Sequence, residues 1–317
     1  MNIEFDPIQL LQQLINGISR GSVYALIALG YTMVYGIIEL INFAHGDVFM
    51  LGTFTAISFV GFFGINDRNP TLKDPVMVVV VLVLTFIVTM AVMGLLGVVI
   101  ERVAYRPLRN APRLAPLISA IGVSYILQNV GQVWKGPSTV TFPDIFQDAI
   151  IRVPIGDQFL IVRSKAILIL LVSVGFMILL TQFVQRTKLG KAMRATAQDQ
   201  STSQLMGINV NTTIALTFFI GAALAGAGAI LYGMFIRASQ FTLGYQAGLR
   251  AFTAAVLGGI GNIPGAVLGG FLIGIIEALS DYFFQSQWTQ AVVFGVLIII
   301  LVFRPSGLLG QRVAEKV

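Results

Sequence analysis

The chain has 317 residues, of which 56% are hydrophobic and only 11% are charged, with a formal net charge of +6. A soluble globular domain carries about 25% charged residues, so this chain could not cover its own surface in water. It contains no cysteine, which excludes disulfides, redox pairs and thiolate–metal sites, and no metal site is predicted. The positive charge includes no long basic run and no aromatic RNA motif, so nucleic acid is not a predicted partner.

Nine apolar segments follow one another along the chain and predict helices embedded in membrane lipid. Continuous runs such as Val76–Val99 and Ala166–Leu180 lack the strict alternation of barrel strands. The predicted fold is an all-α polytopic membrane protein, a single transmembrane domain over residues 1–317 with about eight to ten transmembrane helices. The segments are 8–30, 47–64, 76–100, 114–134, 166–185, 212–234, 250–260, 264–283 and 288–303.

Arginine and lysine are concentrated in three connectors, which the positive-inside rule assigns to the cytoplasm. These are the loops 101–113 and 186–211 and the tail after Arg304, so the C-terminus is predicted to be cytoplasmic. The connectors 65–75 and 135–165 mix basic with acidic residues and are predicted to be external. Within 135–165, Gly156 and Asp157 separate two β-prone stretches, which favours either a small β-hairpin or a merely ordered loop.

Two apolar regions are interrupted, and discontinuous or re-entrant segments are predicted near residues 31–47 and 251–265. A membrane tolerates the unpaired backbone groups of a broken helix only beside protein or water. Paired interruptions of this kind indicate the substrate path of a transporter and are compatible with a pair of pseudo-symmetric repeats. The candidate residues of a translocation path or gate are Asn42, His45, Gly46, Asp47, Gln128, Gly261, Asn262 and Pro264.

Structural roles are the alternatives for these residues. His45 could be an interfacial side chain, and Asp47 could be the N-cap of a helix that starts at Val48. The glycines could serve only close helix packing. Ser124, Gln128 and Gln132 recur every four residues and are predicted to face into the helix bundle, where they line the pathway or bond to a neighbouring helix.

The loop 186–211 is the longest polar stretch on the predicted cytoplasmic side. Ala192–Leu205 is predicted to form one short helix that stops at Gly207. Such a helix suits docking to a cytoplasmic partner, and an interfacial linker helix is the alternative. The chain has no Walker A motif, so no cofactor is predicted here and any ATP must be bound by separate subunits.

Three stretches together resemble the H-type permease of bacterial high-affinity branched-chain amino acid importers, from about Leu10 to the end of the chain. They are GSVYALIALGYTMVYGIIELINFAHGDVFMLG, GKAMRATAQDQSTSQLMGINV and GLRAFTAAVLGGIGNIPGAVLGG. The resemblance implies an inner-membrane subunit that moves Leu, Ile or Val by alternating access. It also implies a second, M-type permease, two cytoplasmic ATPase subunits and a periplasmic substrate-binding protein as partners.

The same resemblance implies a coupling helix for the ATPase in the cytoplasmic loop. Its residues would be Arg194, Ala195, Asp199 and Gly207, although Ser201 stands where the Glu-Ala-Ala-x-x-x-Gly pattern of many importers has its acidic residue. Related permeases for urea, short amides or other amino acids share these motifs. A self-contained channel or ion-coupled carrier is a further alternative and would need membrane-embedded acids, for which Glu39 and Glu277 are the candidates.

Overall fold

The computed structural model describes residues 6–38, 42–66, 71–72, 74–109, 111–112, 114–156, 158–284 and 286–310. Helices dominate these residues, with four short strands. The helices are α1 (Pro7–Ile38), α2 (Ala44–Gly61), α3 (Pro75–Ile100), α4 (Leu114–Lys135), α5 (Ser164–Arg186), α6 (Lys188–Gln198), α7 (Gln200–Leu205), α8 (Val210–Ile236), α9 (Leu243–Gly258), α10 (Ile263–Phe283) and α11 (Thr289–Phe303). The strands are β1 (Val140–Thr141), β2 (Ile150–Ile155), β3 (Gln158–Arg163) and β4 (Ala238–Ser239).

Each of the nine apolar segments corresponds to a helix, and the predicted all-α polytopic membrane fold is confirmed. Within the described residues, seven helical segments are long and apolar enough to cross a membrane. The other two membrane-embedded helices, α2 and α9, have 18 and 16 residues and are largely buried in the bundle. Helix α3 continues through a π turn, Glu101–Tyr105, and a 3-10 turn, Arg106–Leu108, before the chain turns back.

Helix α1 is the central element of the bundle. Its 32 residues would extend about 48 Å, and 83% of its most apolar window is buried. Residues 31–38 therefore continue α1 and are not a separate segment, and the non-helical Asn42 and Phe43 directly precede α2. The Gly21 backbone approaches α10 so closely that an added Cβ would lie 2.8 Å from the Phe271 Cα. Small residues allow this approach, which is how apolar helices associate in lipid.

The connectors assemble into two opposite ends of the bundle. At one end, here called the hairpin end, Gln158 donates to Asp6 and Gln12 bonds to the Ile161 backbone. At the other, here called the basic end, Gln200 donates to the Ile37 carbonyl and Arg109 donates to Asn211 at 2.6 Å. The three arginine- and lysine-rich connectors all meet at the basic end, because the tail also hydrogen-bonds there through the Leu308 N–H to the Leu257 carbonyl.

At the hairpin end, β2 pairs antiparallel with β3, and Gly156 in the connecting turn has a φ of +61°. The short strand β1 pairs with β4, which follows α8. The Phe142 ring rests on Gly233 of α8, where any Cβ would collide with the ring. These contacts fix the 136–163 connector onto the bundle.

The polar loop after α5 forms two helices and not one. Asp199 interrupts the predicted Ala192–Leu205 helix, because its extended backbone ends α6 and its carboxylate accepts the N–H groups of Ser201 and Thr202 at the start of α7. A side-chain oxygen in this position satisfies amide groups that have no partner within the helix. The single-helix prediction was wrong because a helix interior offers Asp no such partners.

Candidate functional site

Two helices begin inside the bundle, and their first turns lie against each other. Ala44, the first residue of α2, is fully buried, and Leu243, the first residue of α9, is 6% exposed. An added Cβ on Gly46 would overlap the Gly244 carbonyl oxygen and lie 2.9 Å from the Gly248 Cα. Only backbones without side chains can approach so closely. The partial positive charges of two helix N-termini therefore converge in the protein core.

Asp47 lies at this junction and is 1% exposed. It is not an N-cap: α2 begins at Ala44, Phe43 holds the cap position, and Asp47 is the fourth residue of the helix. Its Oδ2 accepts a hydrogen bond from the Ser124 hydroxyl of α4 at 2.5 Å, while its Oδ1 has no partner among the described residues. The N-cap alternative is thus wrong because the helix starts one turn earlier.

His45 and Asn42 belong to the same junction. His45 is 2% exposed, its ring packs against Tyr31 with centroids 4.5 Å apart, and its Nε2 lacks a hydrogen-bond partner among the described residues. The interfacial alternative for His45 is therefore wrong. Asn42 accepts a hydrogen bond from the Tyr105 hydroxyl at 3.1 Å. Buried polar atoms without partners are costly and rare, so they mark this junction as a candidate functional site.

The polar stripe of α4 is divided between the bundle and the surface. Gln128 is half-buried and donates to the Ser124 hydroxyl at 3.3 Å, which extends the polar chain from Asp47 outward. Gln132 is exposed, so its predicted inward orientation was wrong. Each step of four residues rotates a helical side chain by about 40°, and two steps carry Gln132 out of the contact with α2.

The second interruption lies at the basic end. Gly259 and Gly261 have φ values of +107° and +87°, a conformation that other residues adopt only with strain. Asn262 begins α10 as its N-cap, because its Oδ1 accepts the Gly265 N–H, and its amide donates to the Leu309 carbonyl at 2.7 Å. Pro264 occupies the first turn of α10, where its missing N–H needs no partner.

The predicted path residues therefore form two groups. His45 lies beside Gly30 of α1, and Gly261 lies beside Gly36, so the groups are about 9 Å apart along that helix. Asn42, His45, Gly46, Asp47 and Gln128 form the core group, and Gly261, Asn262 and Pro264 form the group at the basic end.

Sequence reasoning missed a buried ion network. Glu277, on α10, is 2% exposed and accepts from Arg250 at 2.8 Å, from Tyr24 at 3.0 Å and from Arg20 at 3.4 Å. Arg20 also pairs with Asp281 at 3.1 Å. The sequence did contain a signal for this network, namely charged residues within apolar segments. Such residues need partners of opposite charge inside the bundle.

The predicted coupling residues have different surroundings. Arg194 donates to the Val184 carbonyl at the end of α5, and Ala195 is half-buried. The pKa of the Asp199 carboxyl is held well below its usual range. The main cause is the hydrogen bond from the Ser201 side chain, followed by the hydrogen bonds from Thr202. Gly207, with a φ of +82°, lets the chain turn after α7.

The tip of this loop carries two exposed apolar side chains, Leu205 at 88% and Met206 at 78%. They were not among the predicted coupling residues, because the sequence does not show which apolar residues of a polar loop remain exposed. Among the described residues, no group of three or more His, Cys, Asp or Glu side chains could hold a metal ion.

In the described part of the chain, seven span-length apolar helices surround two short helices that begin in the core of the bundle, an arrangement typical of membrane transporters. The family of branched-chain amino acid transport system permease components matches residues 13–302, and the chain belongs to that family. The chain is 46% identical to the high-affinity branched-chain amino acid transport system permease protein BraD of Pseudomonas aeruginosa, covering 97% of this chain and 98% of BraD.

Two further relatives carry the name LivH. The high-affinity permease protein LivH of Escherichia coli K12 is 41% identical, covering 98% of each chain. The probable branched-chain amino acid transport permease protein LivH of Methanocaldococcus jannaschii is 30% identical, covering 90% of this chain and 88% of LivH. No solved structure matches the chain.

Proposed function

We propose that the chain is the permease subunit of an ATP-driven importer that moves leucine, isoleucine or valine across the bacterial inner membrane. The observation that carries this proposal is the similarity to BraD, which extends over nearly the whole of both chains. The chain is a transport subunit, and the ATP is bound and hydrolysed by separate partners. Two cytoplasmic ATPase subunits would do this. The further partners would be a second permease of the M type and a periplasmic substrate-binding protein.

The basic end is proposed to face the cytoplasm and the hairpin end the periplasm. The positive-inside rule supports this orientation, since the connectors rich in arginine and lysine gather at one end of the bundle. The described N-terminal residue, Asp6, then lies on the periplasmic side because it contacts Gln158 of β3.

The junction of α2 and α9 is proposed to form part of the translocation path or of its gate. Asp47 and the two helix N-termini give it local charges of opposite sign, which suits a zwitterionic amino acid. The second interruption, around Gly261 and Asn262, would let the cytoplasmic ends of α9 and α10 move against α1. Alternating access needs such hinge positions.

The loop that contains α6 and α7 is proposed to bind the ATPase. Leu205 and Met206 would enter a pocket of that partner, because exposed apolar side chains at the tip of a polar loop suit a protein interface. Arg194 and Ala195 would connect this tip to α5, and Asp199 and Gly207 would shape α7.

An ion-coupled carrier is the less favoured alternative. Of its two candidate acids, Glu39 lies outside the described residues, and Glu277 is held by two arginines. A carboxylate with two guanidinium partners is compensated and has little reason to bind a transported cation.

Reconstitution tests the function. Proteoliposomes are prepared with both permeases, with both ATPases facing the lumen and with the binding protein outside. They should accumulate labelled leucine only when the lumen contains ATP. The chain alone, under a sodium or proton gradient, should accumulate none. Leucine accumulation by the chain alone would refute an ATP-driven permease, and ATP-dependent uptake of urea but not leucine would refute the substrate.

A further inference from the structure

Helix α4 is too polar for the lipid-facing position that its exposure suggests. The most apolar windows of α4 and α3 are both only 22% buried, yet α4 is the least hydrophobic and α3 the most hydrophobic of the seven span-length segments in the described chain. The exposed surface of α3 is aliphatic along its length, with residues such as Val79, Val83 and Ile87. Helix α3 therefore suits acyl chains, and α4 needs another neighbour.

The polar residues in the second half of α4 occupy one side of the helix. With 100° of rotation per residue, Gln128, Gln132, Tyr125 and Asn129 fall within a sector of about 100°. We call these four residues the α4 polar stripe. The adjoining sector carries Ile126, Val130 and Val133, which are 48 to 88% exposed and suit lipid.

The stripe lies halfway along the span. Tyr125 is the twelfth of the 22 residues of α4, and its side chain is 63% exposed. Asn129 is also exposed, and within the described residues its amide donates to the Tyr125 carbonyl one turn earlier, at 2.8 Å. Amides and a phenol at this depth face protein or water and not hydrocarbon.

The stripe is continuous with the buried junction. Ser124 borders it and donates to Asp47, and Gln128 donates to Ser124. A single chain of hydrogen-bonding groups thus leads from a buried carboxylate to the exposed surface. The exposed groups can hydrogen-bond the ammonium and carboxylate of an amino acid, while Ile121, which lies in the same sector and is 40% exposed, offers contacts to an aliphatic side chain.

We propose that the α4 polar stripe lines the substrate pathway and faces the second permease subunit across it. This inference rests on the proposed function, since it takes an importer with two permeases as given. In this arrangement α4 borders the water-filled pathway and α3 faces lipid.

Single cysteines test this inference, because the chain has no cysteine of its own. Tyr125→Cys and Asn129→Cys are compared with Ile87→Cys in the assembled importer. Ile87 is the matched control: it is 58% exposed and is the thirteenth residue of the 26-residue α3. A small hydrophilic methanethiosulfonate should modify the α4 cysteines at least about tenfold faster, since a thiol ionises poorly in an apolar environment. Leucine-loaded binding protein with ATP should slow the reaction.

A photoreactive phenylalanine analogue gives a second readout that does not depend on water. At position 125 it should crosslink to the second permease, and at position 87 to lipid alone. Cysteines at 125 and 129 that react no faster than the one at 87, in both resting and substrate-loaded importer, would overturn the inference. Crosslinking of position 125 to lipid alone would do the same. ATP-dependent leucine uptake by the unmodified importer tests the proposed function separately, so the two failures are distinguishable.

Discussion

At the scale of single residues, Gly46 sets the geometry of the α2–α9 junction. It lies against Gly244 and Gly248, and because none of the three residues has a side chain, the backbones of the two helix starts can touch. The Gly-x-x-x-Gly spacing of Gly244 and Gly248 was visible in the sequence. That Gly46 faces them could not be predicted, because nearly 200 residues of chain separate the two sites and no local pattern reports the contact.

Gly46→Ala should therefore destabilise the protein by about 1 to 3 kcal/mol, because the new methyl group meets backbone atoms that cannot move away. Gly175→Ala is the matched control. Gly175 lies within α5 with open space around its Cβ position, and alanine there should be neutral or stabilising by about 0.5 to 1 kcal/mol. Thermal unfolding of the purified protein in detergent measures both. A Gly46→Ala variant that melts with the parent would contradict the close approach.

Arg250 explains why α9 was predicted too short. In a hydropathy pattern a charged residue usually marks the end of a membrane segment, so the predicted segment, 250–260, began at Arg250. In the structure α9 begins at Leu243, and Arg250 lies within the helix with its guanidinium on Glu277. The compensating charge comes from another helix, and a sequence window contains no information about it.

At the scale of elements, α7 depends on one carboxylate. Asp199 accepts two backbone N–H groups and two hydroxyls at the helix start, and its pKa is lowered by these bonds, those from Ser201 foremost. A lowered pKa means that the stabilising contribution is complete above the unfolded value of about 3.9 and is lost only as the pH falls through the folded value. Between pH 5 and 8 the cap should stay ionised.

Asp199→Ala should unravel α7 and reduce copurification of the ATPase subunits several-fold, whereas Asp199→Asn should retain most of it, because asparagine also caps helices. Hydrogen exchange of the α7 amides gives an independent measure and should accelerate only in the alanine variant. Normal copurification and normal exchange in Asp199→Ala would show that the cap is dispensable for the loop.

At the scale of the whole molecule, composition and hydropathy predicted the fold class and all nine apolar segments, because the cost of exposing polar backbone to lipid leaves few alternatives. The interruptions were also visible, since Asn42, Asn262 and Pro264 break apolar runs. The arrangement of helices was not predictable. It depends on close contacts such as Gly21 on Phe271, in which residues distant in sequence fit by shape.

The orientation of the bundle is tested by labelling intact cells that carry one cysteine each. Ser138 and Ser201 are both exposed, and they lie at the hairpin end and the basic end respectively. A membrane-impermeant thiol reagent should label Ser138→Cys, and it should label Ser201→Cys only after permeabilisation. Labelling of position 201 alone in intact cells would invert the proposed topology.

The ion pair between Arg20 and Glu277 also has a consequence for biosynthesis. The two residues are 257 positions apart, and α1 enters the membrane long before α10 exists. At about 5 to 20 residues per second, a ribosome needs roughly 13 to 50 s to reach the codon for Glu277. During that time the first helix carries an uncompensated arginine and lacks the neighbours that later bury it. The nascent chain must therefore wait beside water, lipid headgroups or an insertion factor until its last third has been translated.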